Sequence, residues 1–173
     1  MKENNIIEMY EYHYDYEPLL SMVWIWVGLG VGFTQALEPI HELGHVLACL
    51  AYGVNFDFHW NYLDIYANGY LPLLVSWSGV IFQTLVFAGL MYLFSKIRHL
   101  EFIAGILHGY LSLVLVVSLF GLFGYKIDDY VMIRQDYGVI VQYIVMIITD
   151  IGMYLVLKKS FHELFVKKDG END

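Results

Sequence analysis

Between Leu19 and Tyr52 the chain carries only two charged side chains, Glu38 and Glu42, in an otherwise apolar run. About 20 apolar residues suffice to cross the ~30 Å hydrocarbon layer of a bilayer, so this run is too long for one straight crossing. Pro39 lies within it and lacks a backbone N–H, which predicts a kink or break there. The expected form is a membrane helix to about Leu37, bent at Pro39 and continued by a second helical segment ending at Gly53. Along that continuation Glu38, His41, Glu42, His45 and Cys49 recur at helical spacing on one side. Polar groups are costly in hydrocarbon, so the stripe must face protein, metal or water rather than lipid.

Three further apolar blocks follow, at about 71–95, 102–123 and 138–157. The chain is 58% hydrophobic and 16% charged, against about 45–50% and about 25% in soluble domains. The fold class expected is an all-α polytopic membrane protein of about four transmembrane spans. Residues 1–17 read as a polar interfacial tail in which Tyr10, Tyr12, Tyr14 and Tyr16 alternate with polar and acidic residues. They lack the basic start and short apolar core of a cleavable signal, so the first apolar segment is expected to direct insertion. Residues 18–158 form the membrane domain and 159–173 a charged C-terminal tail. The expected location is the cell membrane, as a multi-pass protein. The net charge of −9 argues against a nucleic-acid partner.

Residues 54–71 change character. Phe56, Phe58, Trp60 and Tyr62 alternate with Asn55, Asp57, His59 and Asn61, a period of two that marks a strand with one apolar face. With Asn68-Gly69 as a tight-turn signal, a short hairpin-like segment is expected. Small residues at Ser76, Ser78 and Gly79 suit a close helix approach, and Gln83 lies within the same apolar run. His108 and Asp150 fall at similar depth in antiparallel spans and are expected to pair. Lys96, Arg98 and the lysines near the C-terminus gather at the end opposite to His41, which the positive-inside rule makes cytoplasmic.

His41-Glu42-Leu43-Gly44-His45 matches H-E-x-x-H. Two imidazoles four residues apart on a helix can reach one zinc ion, with the intervening Glu as general base. The bland reading is a core helix with two satisfied histidines. The apolar setting favours the metal, because both imidazoles need buried partners in any case.

With these residues in view, the chain resembles the site-2 protease-like intramembrane zinc metalloproteases over roughly residues 20–135. The resemblance rests on HELGH at the end of an apolar helix, on Ser78-Gly79-Val80-Ile81-Phe82-Gln83 where such enzymes carry A-G-P-x-x-N, and on Ile127-Asp128 sited like their L-D-G. It implies zinc held by His41, His45 and Asp128, with Glu42 as catalytic base. Asp129 is the neighbouring alternative to Asp128, and Asp129 and Glu38 are expected as supporting groups. It also implies substrate contacts from Gln83, in place of the family Asn, and from an extended edge including Phe58, His59 and Trp60. The family Pro is Val80 here, and the Gly after the ligand Asp is Asp129. The implied activity is zinc-dependent cleavage of transmembrane or membrane-associated protein substrates within the bilayer, with a membrane-protein regulator as a further partner. The alternative is an inactive membrane scaffold or chaperone-like relative of the same fold. A metal transporter would need more polar residues along several spans than this chain carries.

Overall fold

The structure, a computed structural model, describes residues 16–60, 62–67, 69–97, 100–124 and 127–165, apart from the side chains of 16–19, 128 and 163. The tail expected at 1–17 falls almost wholly outside the described residues.

The first apolar run is two helices. Helix α1 (Tyr16–Phe33) and helix α2 (Glu38–Tyr52) are separated by a turn at 34–37 and diverge by 61°. Thr34 Oγ1 donates to the Val31 carbonyl at 2.7 Å, closing the end of α1, and Gln35 takes a left-handed φ of 55°. Pro39 sits in the first turn of α2, where an N–H would have had no intrahelical partner and the fixed φ suits the helix. The break therefore precedes Pro39; the bend expected at that residue becomes a helix start. Helix α2 ends at Gly53, whose φ of 66° is one that glycine adopts without steric cost.

Strands β1 (Asn55–Phe58) and β2 (Leu63–Tyr66) form an antiparallel pair, with Phe56 opposite Ile65 and Phe58 opposite Leu63. The chain reverses at 59–62 rather than at Asn68-Gly69, and Asn68 lies outside the described residues. Burial decides the register. Phe56, Leu63 and Ile65 pack on Ala48, Cys49, Leu71 and Val75, which requires both strands to lie on α2. The alternation expected to run through Tyr62 ends at Phe58, and Trp60 is exposed between the strands.

Helices α3 (Leu73–Phe94), α4 (Glu101–Leu122) and α6 (Val139–Phe165) are each long and apolar enough to cross a membrane. The bent pair α1 and α2 would make a fourth span if it acts as one. A short helix, α5 (Asp128–Tyr137), precedes α6; its mixed polar sequence gave no helical signal. Helix α6 runs through Phe165, so the tail expected from residue 159 is helical over its first part. Helix α3 is central, touching α2, α4, α5 and α6. Phe87, Met91, Leu107, Tyr110, Leu111 and Met153 form the main core. Helix α1 lies along α4 through glycines: a Cβ on Gly28 would strike the Ile106 backbone, and one on Gly109 the Ile25 backbone. Such small-residue seams let apolar helices pack closely without a hydrophobic driving force. On the outside, Trp26, Leu85, Ile144, Ile148 and Leu155 are exposed, which is compatible with a surface facing lipid rather than water.

The expected His108–Asp150 pair does not form. His108 Nδ1 lies 3.2 Å from Ser160 Oγ, and Asp150 is ten residues (160 − 150), or about 15 Å, back along the same helix. The reason is the length of α6: depth counted from Lys158 starts too early, because the helix continues well past that residue.

Candidate metal centre

The H-E-x-x-H helix begins only a few residues before the motif, so His41 and His45 occupy its first two turns. One turn apart, they bring their Nε2 atoms to 3.1 Å. The residues before α5 end in extended backbone at Ile127, which delivers the second residue of that helix to the pair. Asp129 Oδ2 lies 2.9 Å from His41 Nε2, and Oδ1 lies 3.4 Å from His45 Nε2. Burial alone would push the Asp129 carboxyl up. The two imidazoles against it outweigh that effect and hold it well below the usual carboxylate range.

The acid expected opposite the histidines is Asp128; the one placed there is Asp129. Successive helix positions are about 100° apart around the axis, so the register of α5 decides which of two adjacent acids faces the imidazoles. That register is set remotely. The Leu71 N–H donates to Asp136 Oδ2 at 3.1 Å, the Tyr137 hydroxyl donates to the Leu71 carbonyl, and Tyr130 and Ile133 are buried against Val145 and Met146. The Asp128 side chain lies outside the described residues.

Helix α3 supports the histidines from behind. His45 Nδ1 lies 2.7 Å from the Val75 carbonyl. A carbonyl only accepts, so a proton sits on Nδ1, and Nε2 is the ring nitrogen that faces the cluster. Ser78 Oγ donates to the same carbonyl at 2.9 Å and stands 3.3 Å from Nδ1. Gly79 is the floor: a Cβ there would collide with Nε2 of both His41 and His45. Across the crossing, a Cβ on Gly44 would lie 2.9 Å from the Gly79 Cα. The small residues at 78–79 therefore admit both the neighbouring helix and the two rings.

The cluster opens on a cavity of about 460 Å³ lined by α2, α3, α4, α5 and the end of α1. Glu38, Glu42, Gln83 and Tyr110 stand in its wall. Glu42 is buried, and its carboxylate lies within 4.8 Å of ligand atoms of His41 and Glu38. Glu38 accepts from the Tyr110 hydroxyl at 3.4 Å. Among the described residues the Gln83 amide nitrogen is buried without a hydrogen-bond partner. From the hairpin, Tyr62 reaches the wall, stacked on His59 at 4.2 Å between centroids. Phe58, His59 and Trp60 belong to the hairpin and its turn rather than to that wall. Cys49 is fully buried in the cluster beneath the hairpin, away from the imidazoles. Tyr110, Ser118 and Tyr130 are cavity residues to which the sequence gave no role, and Tyr62 entered only through the period-two alternation. The visible trace of two of them was a hydroxyl at positions 110 and 118, eight apart and so on one side of an apolar helix.

A tetrahedral zinc ion with nitrogen and oxygen ligands at about 2.0–2.1 Å has ligand–ligand edges of about 3.3–3.4 Å. The two Nε2 atoms stand 3.1 Å apart, one Asp129 oxygen lies 2.9 Å from His41 and the other 3.4 Å from His45, and one donor atom from each residue lies within 4.8 Å of the other two, close to those edges and with donors of types that zinc accepts. The residues present therefore fit such an ion, with His41, His45 and Asp129 as its ligands and the cavity side left open. Comparison with family models, curated proteins and solved structures finds no match to this chain.

Proposed function

We propose that the chain is a zinc-dependent intramembrane endopeptidase acting on transmembrane or membrane-associated protein substrates. The observation that carries this reading is the convergence of His41, His45 and Asp129 at a cavity that also holds Glu42, inside a bundle of apolar helices. Zinc held there would supply Lewis-acid polarisation of a carbonyl and would acidify a water molecule. Glu42 stands on the same wall as the histidines, where it can take the proton of that water and return it to the leaving amine. Its burial beside Glu38 and His41 in the cavity wall strengthens each charge interaction.

The substrate must be unwound at the cleavage point, because a helix hides its carbonyls in its own hydrogen bonds. Two features favour an extended peptide. The Gln83 amide nitrogen, which has no hydrogen-bond partner among the described residues, can donate to a backbone carbonyl, and the sheet formed by the described residues pairs two strands, whose outer edges suit strand addition. A contribution from Phe58, His59 and Trp60 rests on that edge. The basic end at Lys96, Lys158 and Lys159 would face the cytoplasm by the positive-inside rule, leaving the cavity nearer the other face of the cell membrane.

The test uses full-length protein in detergent or nanodiscs. Zinc content is measured for wild type and Glu42→Gln, and each is incubated with a helical transmembrane substrate. The expected result is one zinc per chain in both and cleavage in wild type alone. Zinc in both with no cleavage by either favours the scaffold reading. Absence of zinc from both removes the metal and the protease together.

A further inference from the structure

Asp150 stands midway along the candidate span Val139–His162 on α6 and takes no part in the metal cluster. Its side chain is 7% exposed. Among the described residues neither carboxyl oxygen has a hydrogen-bond partner, and no cationic side chain lies close enough to act on it. A lone carboxylate is costly at this depth, and a buried polar group left unpaired calls for a physical reason. Ser118 on α4 faces the carboxyl without closing a hydrogen bond to it. Its hydroxyl donates instead to that of Tyr130 on α5, at 3.3 Å. The Tyr130 hydroxyl lies near both Thr149 and Asp150. The Thr149 proton is already given to the Val145 carbonyl at 2.8 Å, while its oxygen accepts from Trp77 Nε1 at 2.7 Å. Ser118 and Tyr130 thus keep one proton between them, against two carboxyl oxygens that can accept about four hydrogen bonds. The place is rich in lone pairs and poor in hydrogens.

We propose that Asp150, Ser118 and Tyr130 hold a monovalent cation of sodium size, with water from the metal cavity completing its shell. The inference is independent of zinc and of proteolysis. The occupant must bring positive charge and take up lone pairs; water alone brings no charge. A proton on Asp150 would not close the gap to Ser118, whereas an ion with its own waters spans it. One carboxylate offsets one positive charge, while calcium takes about 6–8 oxygens, carboxylates prominent among them. Donors that are all oxygen select a hard ion rather than zinc. The strong field of a carboxylate favours the smaller ion, sodium over potassium. Ser118 and Tyr130 belong to the wall of the 460 Å³ cavity, which gives the ion a way in, and Glu38 and Glu42 on the same wall draw cations towards it. Once held, the ion ties α4, α5 and α6 together, so its binding raises the stability of the bundle.

The experiment uses the full chain in nanodiscs at fixed pH and ionic strength. Choline chloride is exchanged for sodium or potassium chloride, and a sodium-free chelator keeps zinc out. Thermal unfolding and retention of radiolabelled sodium are read on the same samples. Wild type should bind one sodium per chain. Its melting temperature should rise by about 3–6 °C at about ten times the dissociation constant, with a smaller rise in potassium at the same concentration. Asp150→Asn, which keeps the shape and removes the charge, should lose both the binding and the rise. Ser118→Ala leaves the carboxylate in place and should weaken sodium binding several-fold, which decides the matter if Asp150→Asn does not fold. Glu42→Gln should keep the full response. Equal melting temperatures in sodium and choline overturn the proposal, as expected of a carboxyl that holds only a proton. Wild-type sodium affinity in Ser118→Ala overturns it too. So does loss of the response in Glu42→Gln alone, which would put the ion at the metal cluster. Zinc is chelated throughout, so failure of the zinc or protease reading leaves these outcomes unchanged.

Discussion

Gly79→Ala is the sharpest probe of the metal centre, because the structure leaves the new methyl group almost nowhere to go. A Cβ at this position would collide with Nε2 of His41 and of His45. His45 cannot yield: its Nδ1 is held 2.7 Å from the Val75 carbonyl, and its side chain is 3% exposed. The backbones cannot separate without loss either, since Gly44 and Gly79 are packed where α2 crosses α3. The strain therefore falls on His41, the more exposed ring at 13%, which must swing away from Asp129. Overpacking of this kind costs about 1–3 kcal/mol, or roughly 2–12 °C in melting temperature at about 2–4 °C per kcal/mol for a chain of this size. Loss of a merely supporting contact to a metal ligand lowers affinity about 10–100-fold, so displacing His41 itself should cost about 100-fold or more. The assay is competition with a chromophoric zinc chelator on detergent-purified protein, beside thermal unfolding with excess chelator. Gly89→Ala is the matched control, because a Cβ there meets nothing within 4 Å; it should bind zinc normally and gain about 0.5–1 kcal/mol in helix stability. Wild-type zinc affinity in Gly79→Ala would refute the placement of the imidazoles against α3.

Asp129→Asn should lower zinc affinity by about 100-fold or more, while Asp128→Asn should change it by less than about threefold; the reverse order, read by the same chelator competition, would show that α5 is out of register. Gly109→Leu drives a side chain into the Ile25 backbone and should destabilise the chain by at least about 1–3 kcal/mol, measured by thermal unfolding; an unchanged melting temperature would mean that α1 does not lie along α4. The Tyr66 hydroxyl donates to Asp57 at 3.0 Å, and that carboxylate pushes the tyrosine ionisation up. The phenol form is the one stabilised, so the contribution is present below the ordinary tyrosine value and is lost as pH rises through the elevated one. Asp57→Asn should therefore bring the Tyr66 ionisation down in a carbon-13 tyrosine NMR titration, and an unmoved Tyr66 would contradict the hairpin pairing.

What local pattern carries was legible in advance. Long apolar blocks marked out the three long helices, because helix length and hydropathy are properties of contiguous residues. His41, Glu42 and His45 share a helix face through spacing alone, and period-two alternation located β1. Elements whose form depends on partners were not legible in the same way. The hairpin turn moved to 59–62 because Phe56, Leu63 and Ile65 find their apolar partners on α2 and at the start of α3, a contact that no turn dipeptide records. His108 met Ser160 rather than Asp150 because α6 continues beyond its apolar block.

The carboxylate opposite the histidines shows the division most plainly. The sequence narrowed the acid to an adjacent pair, because its motif resemblance pointed to Asp128 with Asp129 as the neighbouring alternative. Only tertiary structure brings Asp129 against the two imidazoles. Neighbours on a helix face directions about 100° apart, and the rotation of α5 is set by Asp136 and Tyr137 on Leu71, and by Tyr130 and Ile133 against α6. Those anchors lie up to 66 residues from their partners (137 − 71), beyond the reach of any local pattern in the chain.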